Sequence, residues 1–167
     1  LAKMEGEESA IITDTSKAVN TLNSLVMVME ERYTLLNRAG ERNIADYNAR
    51  IQAGKLKKRD GHSFMPYIVV VIDEFAELKR EEPDFMRELI SVAQVGRSLG
   101  VHLILATQRP AGNVDENILS NTRFRLCLRV QDKQNSMEVL YRPDAAALTG
   151  VGRGYLQVGS DEVFTLF

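Results

Sequence analysis

The sequence has no tryptophan and one cysteine, Cys127, among its 167 residues. A single cysteine cannot form an internal disulfide, which is compatible with a reducing compartment, and its place in an apolar strand pattern predicts a packing role. No hydrophobic run approaches the length of a membrane span, and the N-terminus lacks the layout of a signal peptide. We therefore expect this segment to be soluble, while a longer parent chain could carry a membrane anchor elsewhere.

A large excess of either charge is also absent, since 21 Lys and Arg residues face 23 Asp and Glu residues. This balance predicts neither a strongly basic nucleic-acid binder nor an acidic tail, so any polyanion must be bound locally. The length suits one domain. The N-terminal stretch 1–9 is short and polar and does not begin with methionine, which suggests that the chain is a segment of a larger protein.

The central stretch is Tyr67 to Leu78, in which six apolar or aromatic residues end in two carboxylates. This pattern predicts a strand that is buried on both faces and carries chemistry at its C-terminal end, as in a Walker B strand. Asp73 would then hold Mg²⁺ through its water shell, and Glu74 would orient or activate the water that attacks a γ-phosphate. The alternative is a buried strand followed by a solvated acidic turn.

A helix opened by Pro83 and ended by Gly100 follows, and then a second buried strand, Val101 to Thr107. A strand, a helix and a strand joined by tight turns form a βαβ unit, which requires a parallel sheet. The fold class is therefore α/β. Ligands bind at the C-terminal edge of such sheets, so Gln108 is expected to lie near the two carboxylates and to sense a phosphate or orient water. Its alternative role is that of a loop residue that bonds to the main chain.

Three further elements flank this unit. A long amphipathic helix begins at the capping residues Thr13 to Thr15 and ends near Gly40. A third strand, Phe124 to Val130, alternates apolar residues with a polar side that carries three arginines, for which a surface ladder is favoured over a role at a neighbour's nucleotide. A hairpin formed by Tyr155 to Val158 and Glu162 to Phe167 closes the chain.

The phosphate-binding loop GxxxxGK[ST] occurs nowhere in the sequence. The glycine-rich bend Gly150 to Gly154 lacks the required Lys-Ser/Thr ending and is interpreted as a turn. A Walker B strand without its P-loop suggests a motor domain truncated before the Walker A loop, whose first strand would lie upstream of Leu1.

The chain resembles the motor domain of the FtsK/SpoIIIE superfamily of hexameric RecA-like translocases over nearly its whole length. The segments that carry the resemblance are VVVIDEFAEL, GVHLILATQRP, MEERYTLL and RNIADYN. Residues 1 to about 78 look like the DNA-translocating FtsK branch of the Bacteroidetes, whereas the residues from about 79 onward are similar to the EssC/EccC ATPases of type VII secretion. The chain is therefore either an intermediate member or a join of two branches near Leu78.

The resemblance implies a RecA-like P-loop NTPase core whose parallel sheet is flanked by helices, with 1–167 as the Walker B half of the domain. It implies ATP and Mg²⁺ as cofactors, with Asp73 as metal ligand and Glu74 acting on water. It further implies a sensor role for Gln108, with Thr107 supporting it at the nucleotide. Arg32 or Arg123 falls where the superfamily places an arginine that acts on a neighbour's nucleotide.

Three functions follow from the resemblance. The favoured one is an ATPase motor that drives protein export in a type VII secretion system, as a hexameric ring at the cytoplasmic face of the bacterial inner membrane within a membrane-anchored parent. The second is a DNA translocase for chromosome segregation, whose partner would be duplex DNA. The third is a degenerate ATPase fold that only binds partners.

Because residues 1–167 contain no P-loop, we expect at best very weak ATP binding and no turnover by this chain alone. Isothermal calorimetry with ATP and Mg²⁺ checks this expectation, and micromolar affinity would contradict it.

Overall fold

The computed structural model describes residues 11–114, 116–160 and 162–167, so the N-terminal stretch 1–9 considered above lies outside the described residues. The chain divides into two compact units. Within the described residues, the first unit comprises 11–71 and 77–104, and the second comprises 72–76 together with the residues from 105 onward. No helix in these described ranges has the length and apolar character needed to cross a membrane.

Six α-helices and five strands are formed by the described residues. The helices are α1 (Thr15–Ala39), α2 (Ile44–Gln52), α3 (Phe75–Glu81), α4 (Pro83–Val95), α5 (Glu116–Asn121) and α6 (Lys133–Leu140). The strands are β1 (Ile68–Ile72), β2 (Val101–Leu105), β3 (Phe124–Leu128), β4 (Gly154–Val158) and β5 (Val163–Leu166). Two short 3₁₀ turns lie at Lys58–Asp60 and Asp144–Ala147.

Helix α1 confirms the predicted long amphipathic helix. It starts where the Asp14 side chain accepts a hydrogen bond from the main-chain N–H of Lys17 at 2.9 Å. It ends at Gly40, whose φ of 69° lies in the left-handed region that a residue without Cβ adopts most readily. The buried residues of α1 recur at helical spacing and are Leu22, Leu25, Met29, Arg32 and Leu36.

Arg32 is the charged residue on the buried face of α1, and its side chain is only 7% exposed. Its guanidinium donates to the carbonyl of Leu99 and to the carbonyl of Pro66, each at 2.7 Å. The two bonds tie α1 to the residues that immediately precede β1 and β2. Arg32 therefore bridges three segments of the first unit, which is a structural role that its place in a charged stretch of sequence did not indicate.

Strands β1 and β2 pair side by side, and their hydrogen bonds run in the same direction along both strands. The N–H of Ile68 donates to Gly100 O at 2.8 Å, and the N–H of Ala106 donates to Ile72 O at 2.8 Å. This pairing confirms the predicted parallel βαβ unit. Sequence analysis missed one detail, because the connection contains two helices, α3 and α4, where a single helix was expected.

The expectation that β1 is buried on both faces is wrong. Val69 and Val71 are 59% and 65% exposed, and Ile104 of β2 is 54% exposed. These side chains alternate with half-buried neighbours along the strands. A continuous apolar run is typical of a strand with helices on both sides, but among the described residues no element covers this face of the pair.

The remaining strands form a three-stranded antiparallel sheet in the order β3-β4-β5. The β4–β5 pairing, with Tyr155 opposite Leu166 and Val158 opposite Val163, confirms the predicted closing hairpin. The predicted surface arginine ladder is wrong for Arg125 of β3, whereas Arg123 and Arg129, which flank the strand, are exposed as expected. Phe124 is 67% exposed, whereas Arg125 is half-buried.

Arg125 points toward the interior because it has partners there. Its guanidinium lies 4.9 Å from the centre of the Tyr141 ring and donates to Leu119 O at 3.0 Å. Cys127, on the same face of β3, is buried against Leu140 of α6 and against Ala145. This small core holds the antiparallel sheet against α6 and the second 3₁₀ turn.

Replacement of Arg32 by alanine should lower the free energy of unfolding by about 3 kcal/mol, because two carbonyl oxygens lose a charged donor. Arg38→Ala, on an exposed position of the same helix, is the control and should cost less than about 1 kcal/mol. Urea denaturation measures both values. Equal midpoints for the two variants would contradict the structural role of Arg32.

Cys127 should be protected from thiol reagents in the folded protein. Burial raises the pKa of its thiol, and the thiolate is the reactive form. We expect slow reaction in buffer and complete reaction after unfolding in urea, followed by absorbance with a chromogenic disulfide reagent. A cysteine introduced by Thr165→Cys, at an exposed position of β5, provides the fast reference. Equal rates for the two thiols would contradict the packing described for β3.

Candidate functional site

The C-terminal ends of β1 and β2 bring the predicted site residues together. Past the strand ends, Phe75 N–H donates to Ala106 O at 3.1 Å, which extends the parallel pairing. The segment that carries Asp73 and Glu74 therefore runs beside the segment that begins at Thr107. All of these residues belong to the second unit. The predicted meeting of two strand ends is confirmed for Glu74 and Thr107.

Three donors from the described residues hold the Glu74 carboxylate. The hydroxyl of Thr107 donates to Oε1 at 2.5 Å, and the main-chain N–H of Gln108 donates to Oε2 at 2.9 Å. The N–H of Ala76, in the first turn of α3, donates to Oε1 at 3.3 Å. Both carboxylate oxygens are thus restrained by groups on two different segments, which fixes the orientation of the side chain.

The electrostatic surroundings of Glu74 favour its ionised form. Partial burial raises the pKa of the carboxyl group, but this effect is outweighed by the hydrogen bonds from Thr107, Gln108 and Ala76 and by the positive charge of Arg109. The net result is a pKa of Glu74 below its ordinary value. Glu74 is therefore a carboxylate at neutral pH, able to accept hydrogen bonds.

Asp73 differs from its neighbour because it is exposed and has no hydrogen-bond or ion-pair partner within the part of the chain that the structure describes. An exposed carboxylate is the donor type that Mg²⁺ takes, one or two at a time, while it keeps several of its waters. Among residues 11–114, 116–160 and 162–167, no group of three or more His, Cys, Asp or Glu forms a complete metal cage. Asp73 fits a cation that is otherwise bound by water and phosphate.

Gln108 contacts Glu74 through its main chain, because its N–H donates to Oε2. Its side chain is exposed and forms no hydrogen bond with any other described residue, so the amide is not placed against the carboxylates as the strand-end argument suggested. The side chain that does contact Glu74 is that of Thr107. Sequence reasoning gave Thr107 only a supporting role, and the signal for more was its position as the first polar residue after β2.

The two arginines considered for action on a neighbour's nucleotide lie in different surroundings. Arg32, in the first unit, is buried and its guanidinium is engaged by two carbonyls, which does not match the exposed position that such a role needs. Arg123, just before β3, is exposed and forms an ion pair with Glu162 at 2.6 Å. A surface ion pair of this kind contributes little to stability, so Arg123 keeps access to a partner.

A sequence model of the FtsK/SpoIIIE family matches residues 4–112. The type VII secretion system protein EssC of Staphylococcus aureus (strain Mu50 / ATCC 700699) is 46% identical over 154 residues, which are 92% of this chain and 10% of EssC. The ESX secretion system protein YukB of Bacillus subtilis (strain 168) is 48% identical over 150 residues, which are 90% of this chain and 10% of YukB. The chain thus spans about a tenth of the length of these relatives.

Two solved structures share the fold. The cytoplasmic domain of the type VII secretion ATPase EccC of Thermomonospora curvata superimposes with a TM-score of 0.76 at 29% identity, covering 92% of this chain and 18% of EccC. The pCW3 conjugation coupling protein TcpA, in a monomer form with ATPγS, superimposes with a TM-score of 0.77 at 28% identity, covering 93% of this chain and 44% of TcpA. The α/β fold class expected from the sequence is confirmed.

The comparisons also bear on the apparent split near Leu78. A single kind of relative, the secretion protein EssC, aligns along 92% of the chain, so both halves resemble the secretion branch. The DNA-translocating branch is not favoured for the first half. With the family match over 109 of 167 residues, 4–112 inclusive, and two curated relatives at 46% and 48% identity, the chain belongs to the FtsK/SpoIIIE family.

Proposed function

We propose that this chain is part of an ATP-hydrolysing translocase motor that drives protein export in a type VII secretion system. The observation that carries the proposal is the Glu74 carboxylate, ionised and oriented by three donors at the ends of two parallel strands. An exposed carboxylate, Asp73, lies next to it in the sequence. The relatives EssC and YukB, both named as secretion system proteins, support export as the work performed.

In this proposal Glu74 accepts a hydrogen bond from the attacking water, and Asp73 would hold Mg²⁺ through the water shell of the ion. Bound Mg²⁺ would neutralise charge on the phosphates of ATP. Nucleotide binding is supported by the structural neighbour TcpA, whose structure was determined with ATPγS. The residues that cradle the phosphates would come from a P-loop, a motif that residues 1–167 do not contain.

Two further residues have proposed roles at the nucleotide. The main chain of Gln108 bonds Glu74 and its side chain is exposed, which suits a sensor of the γ-phosphate. Arg123 carries an exposed guanidinium, which suits an arginine that acts on the nucleotide of a neighbouring subunit. The second role requires an oligomer, and we propose a hexameric ring at the cytoplasmic face of the bacterial inner membrane. The relatives' membership of secretion systems supports this location.

One observation supports DNA translocation as a second candidate function. TcpA, named as a conjugation coupling protein, superimposes on 93% of the chain. A DNA motor should bind duplex DNA with an affinity that falls steeply with salt, because phosphate contacts release counterions. A degenerate, non-catalytic fold is disfavoured by the orientation of Glu74, since its contacts are those of a carboxylate held ready to accept a hydrogen bond.

Turnover of ATP by the intact parent protein tests the proposal. Glu74→Gln should reduce kcat by at least about 100-fold, because the neutral amide is a much weaker acceptor for the water. Glu77→Gln is the matched control, since Glu77 lies three residues further on, is exposed and pairs only with Arg80 among the described residues. We expect it to retain kcat within about two-fold.

The same assay separates the two translocase functions. Stimulation of turnover by the exported protein, with no response to duplex DNA, is the expected result. Turnover that rises with duplex DNA and is abolished by Glu74→Gln would assign the motor to DNA. Turnover that survives Glu74→Gln would contradict the proposed role of Glu74 in either motor.

A further inference from the structure

The Thr107 hydroxyl lies at the centre of the hydrogen bonds around Glu74. Its oxygen accepts the main-chain N–H of Arg109 at 3.0 Å, and its proton is donated to Glu74 Oε1 at 2.5 Å. A hydroxyl has one proton to donate, so acceptance from Arg109 leaves that proton directed at Glu74. The direction of the bond is therefore determined by the local main chain.

The segment after Thr107 is itself restrained. The carbonyl of Arg109 accepts a hydrogen bond from the Asn113 side chain at 2.8 Å, and the N–H of Ala111 donates to the side chain of Asn135 in α6 at 3.2 Å. These two bonds restrain the strand-end loop beyond Thr107. The main chain next to Thr107 is consequently restrained by hydrogen bonds, as is required of a residue that positions another side chain.

The two carboxylate oxygens of Glu74 accept different numbers of hydrogen bonds. An ionised carboxylate offers about four acceptor sites, two on each oxygen. Oε1 receives two donors, Thr107 and Ala76, whereas Oε2 receives one, the N–H of Gln108. Among the described residues, therefore, one acceptor site stays vacant, and it lies on Oε2. Glu74 is only partly buried, so solvent can reach its carboxylate.

We propose that Thr107 is the positioning residue of the site: its hydroxyl clamps Oε1 of Glu74 so that the vacant acceptor site of Oε2 is directed at the attacking water. This inference rests on the proposed hydrolytic function. It assigns the orientation of Glu74 to the Thr107 hydroxyl and to the Gln108 main chain, and it leaves the Gln108 side chain free to face the nucleotide.

A purely structural role for Thr107 is the competing explanation, since an N–H that bonds a hydroxyl two residues earlier also closes a turn. The two roles differ in what happens at Glu74. Loss of a turn-closing bond alone would accelerate exchange at Arg109 N–H, which donates to the Thr107 hydroxyl. Loss of a positioning contact would also accelerate exchange at Gln108 N–H, which donates to Oε2 of Glu74. Protection of that N–H from hydrogen exchange is therefore informative without any nucleotide.

The first experiment measures amide hydrogen exchange by NMR in the 167-residue chain. Thr107→Val, which keeps the shape and removes the hydroxyl, should accelerate exchange at Gln108 about tenfold, which corresponds to the loss of one ordinary hydrogen bond. Thr107→Ser, which keeps the hydroxyl, should retain protection. Thr165→Val, at an exposed position of β5, controls for the substitution itself. Unchanged exchange at Gln108 in Thr107→Val would overturn the proposal.

The second experiment measures ATP turnover by the intact parent. Thr107→Val should lower kcat at least about tenfold while the KM for ATP changes less than about two-fold, and Thr107→Ser should restore kcat. Thr107→Ala replaces the valine variant if the latter does not fold. A wild-type kcat in the hydroxyl-free variant would overturn the positioning role.

The two proposals fail in distinguishable ways. If Glu74→Gln leaves turnover intact, the hydrolytic role of Glu74 is refuted, and with it any catalytic role for the residue that positions Glu74. If Glu74→Gln abolishes turnover but Thr107→Val does not, only the role of Thr107 is refuted.

Discussion

Parallel pairing between β1 and β2 is the constraint on which the candidate site depends. Strands that run in the same direction end at the same edge, so the acidic pair after β1 meets the polar residues after β2. The pairing continues beyond both strands through the bond between Phe75 N and Ala106 O. A shift of register by one residue would turn Glu74 away from Thr107, because side chains alternate between the two faces.

Among the described residues, two of the three donors to Glu74 are main-chain groups, whose positions do not depend directly on side-chain identity. Gln108 and Ala76 contribute N–H groups whose positions follow from the strand-end loop and from the first turn of α3. Within the part of the chain that the structure describes, Thr107 is the one residue that donates to Glu74 through its side chain. The orientation of Glu74 thus depends on one hydroxyl and on main-chain geometry, while the neighbouring Asp73 is exposed.

The location of the site could be predicted from the sequence because apolar runs that end in polar residues mark the C-terminal ends of buried strands. The hydrogen-bond partners of Glu74 could not be predicted from the sequence, because every residue except proline has a main-chain N–H and the residue type does not show which one will donate. Burial of Arg32 was missed for a related reason, since α1 carries charges on its exposed face and the two carbonyls that attract this guanidinium are distant in sequence.

The outward apolar side of β3 was also beyond sequence reasoning. Alternation along a strand shows that its two faces differ, but it does not show which face points inward. In β3 the face of Arg125 points inward because the guanidinium contacts the ring of Tyr141 and donates to the carbonyl of Leu119. Long-range partners of this kind are set by packing, whereas α1 and the closing hairpin depend on caps and turns that are local. The elements with local signals are those that were predicted well.

If hydrolysis at Glu74 powers protein export, loss of this carboxylate should stop export in living cells. Cells that carry Glu74→Gln or Glu77→Gln in the chromosomal copy of the parent gene would be grown in parallel, and proteins in the medium quantified by mass spectrometry. We expect Glu74→Gln to abolish export of the system's substrates at a normal level of the motor protein, and the Glu77→Gln strain to export as the wild type does. Wild-type export by the Glu74→Gln strain would contradict this expectation.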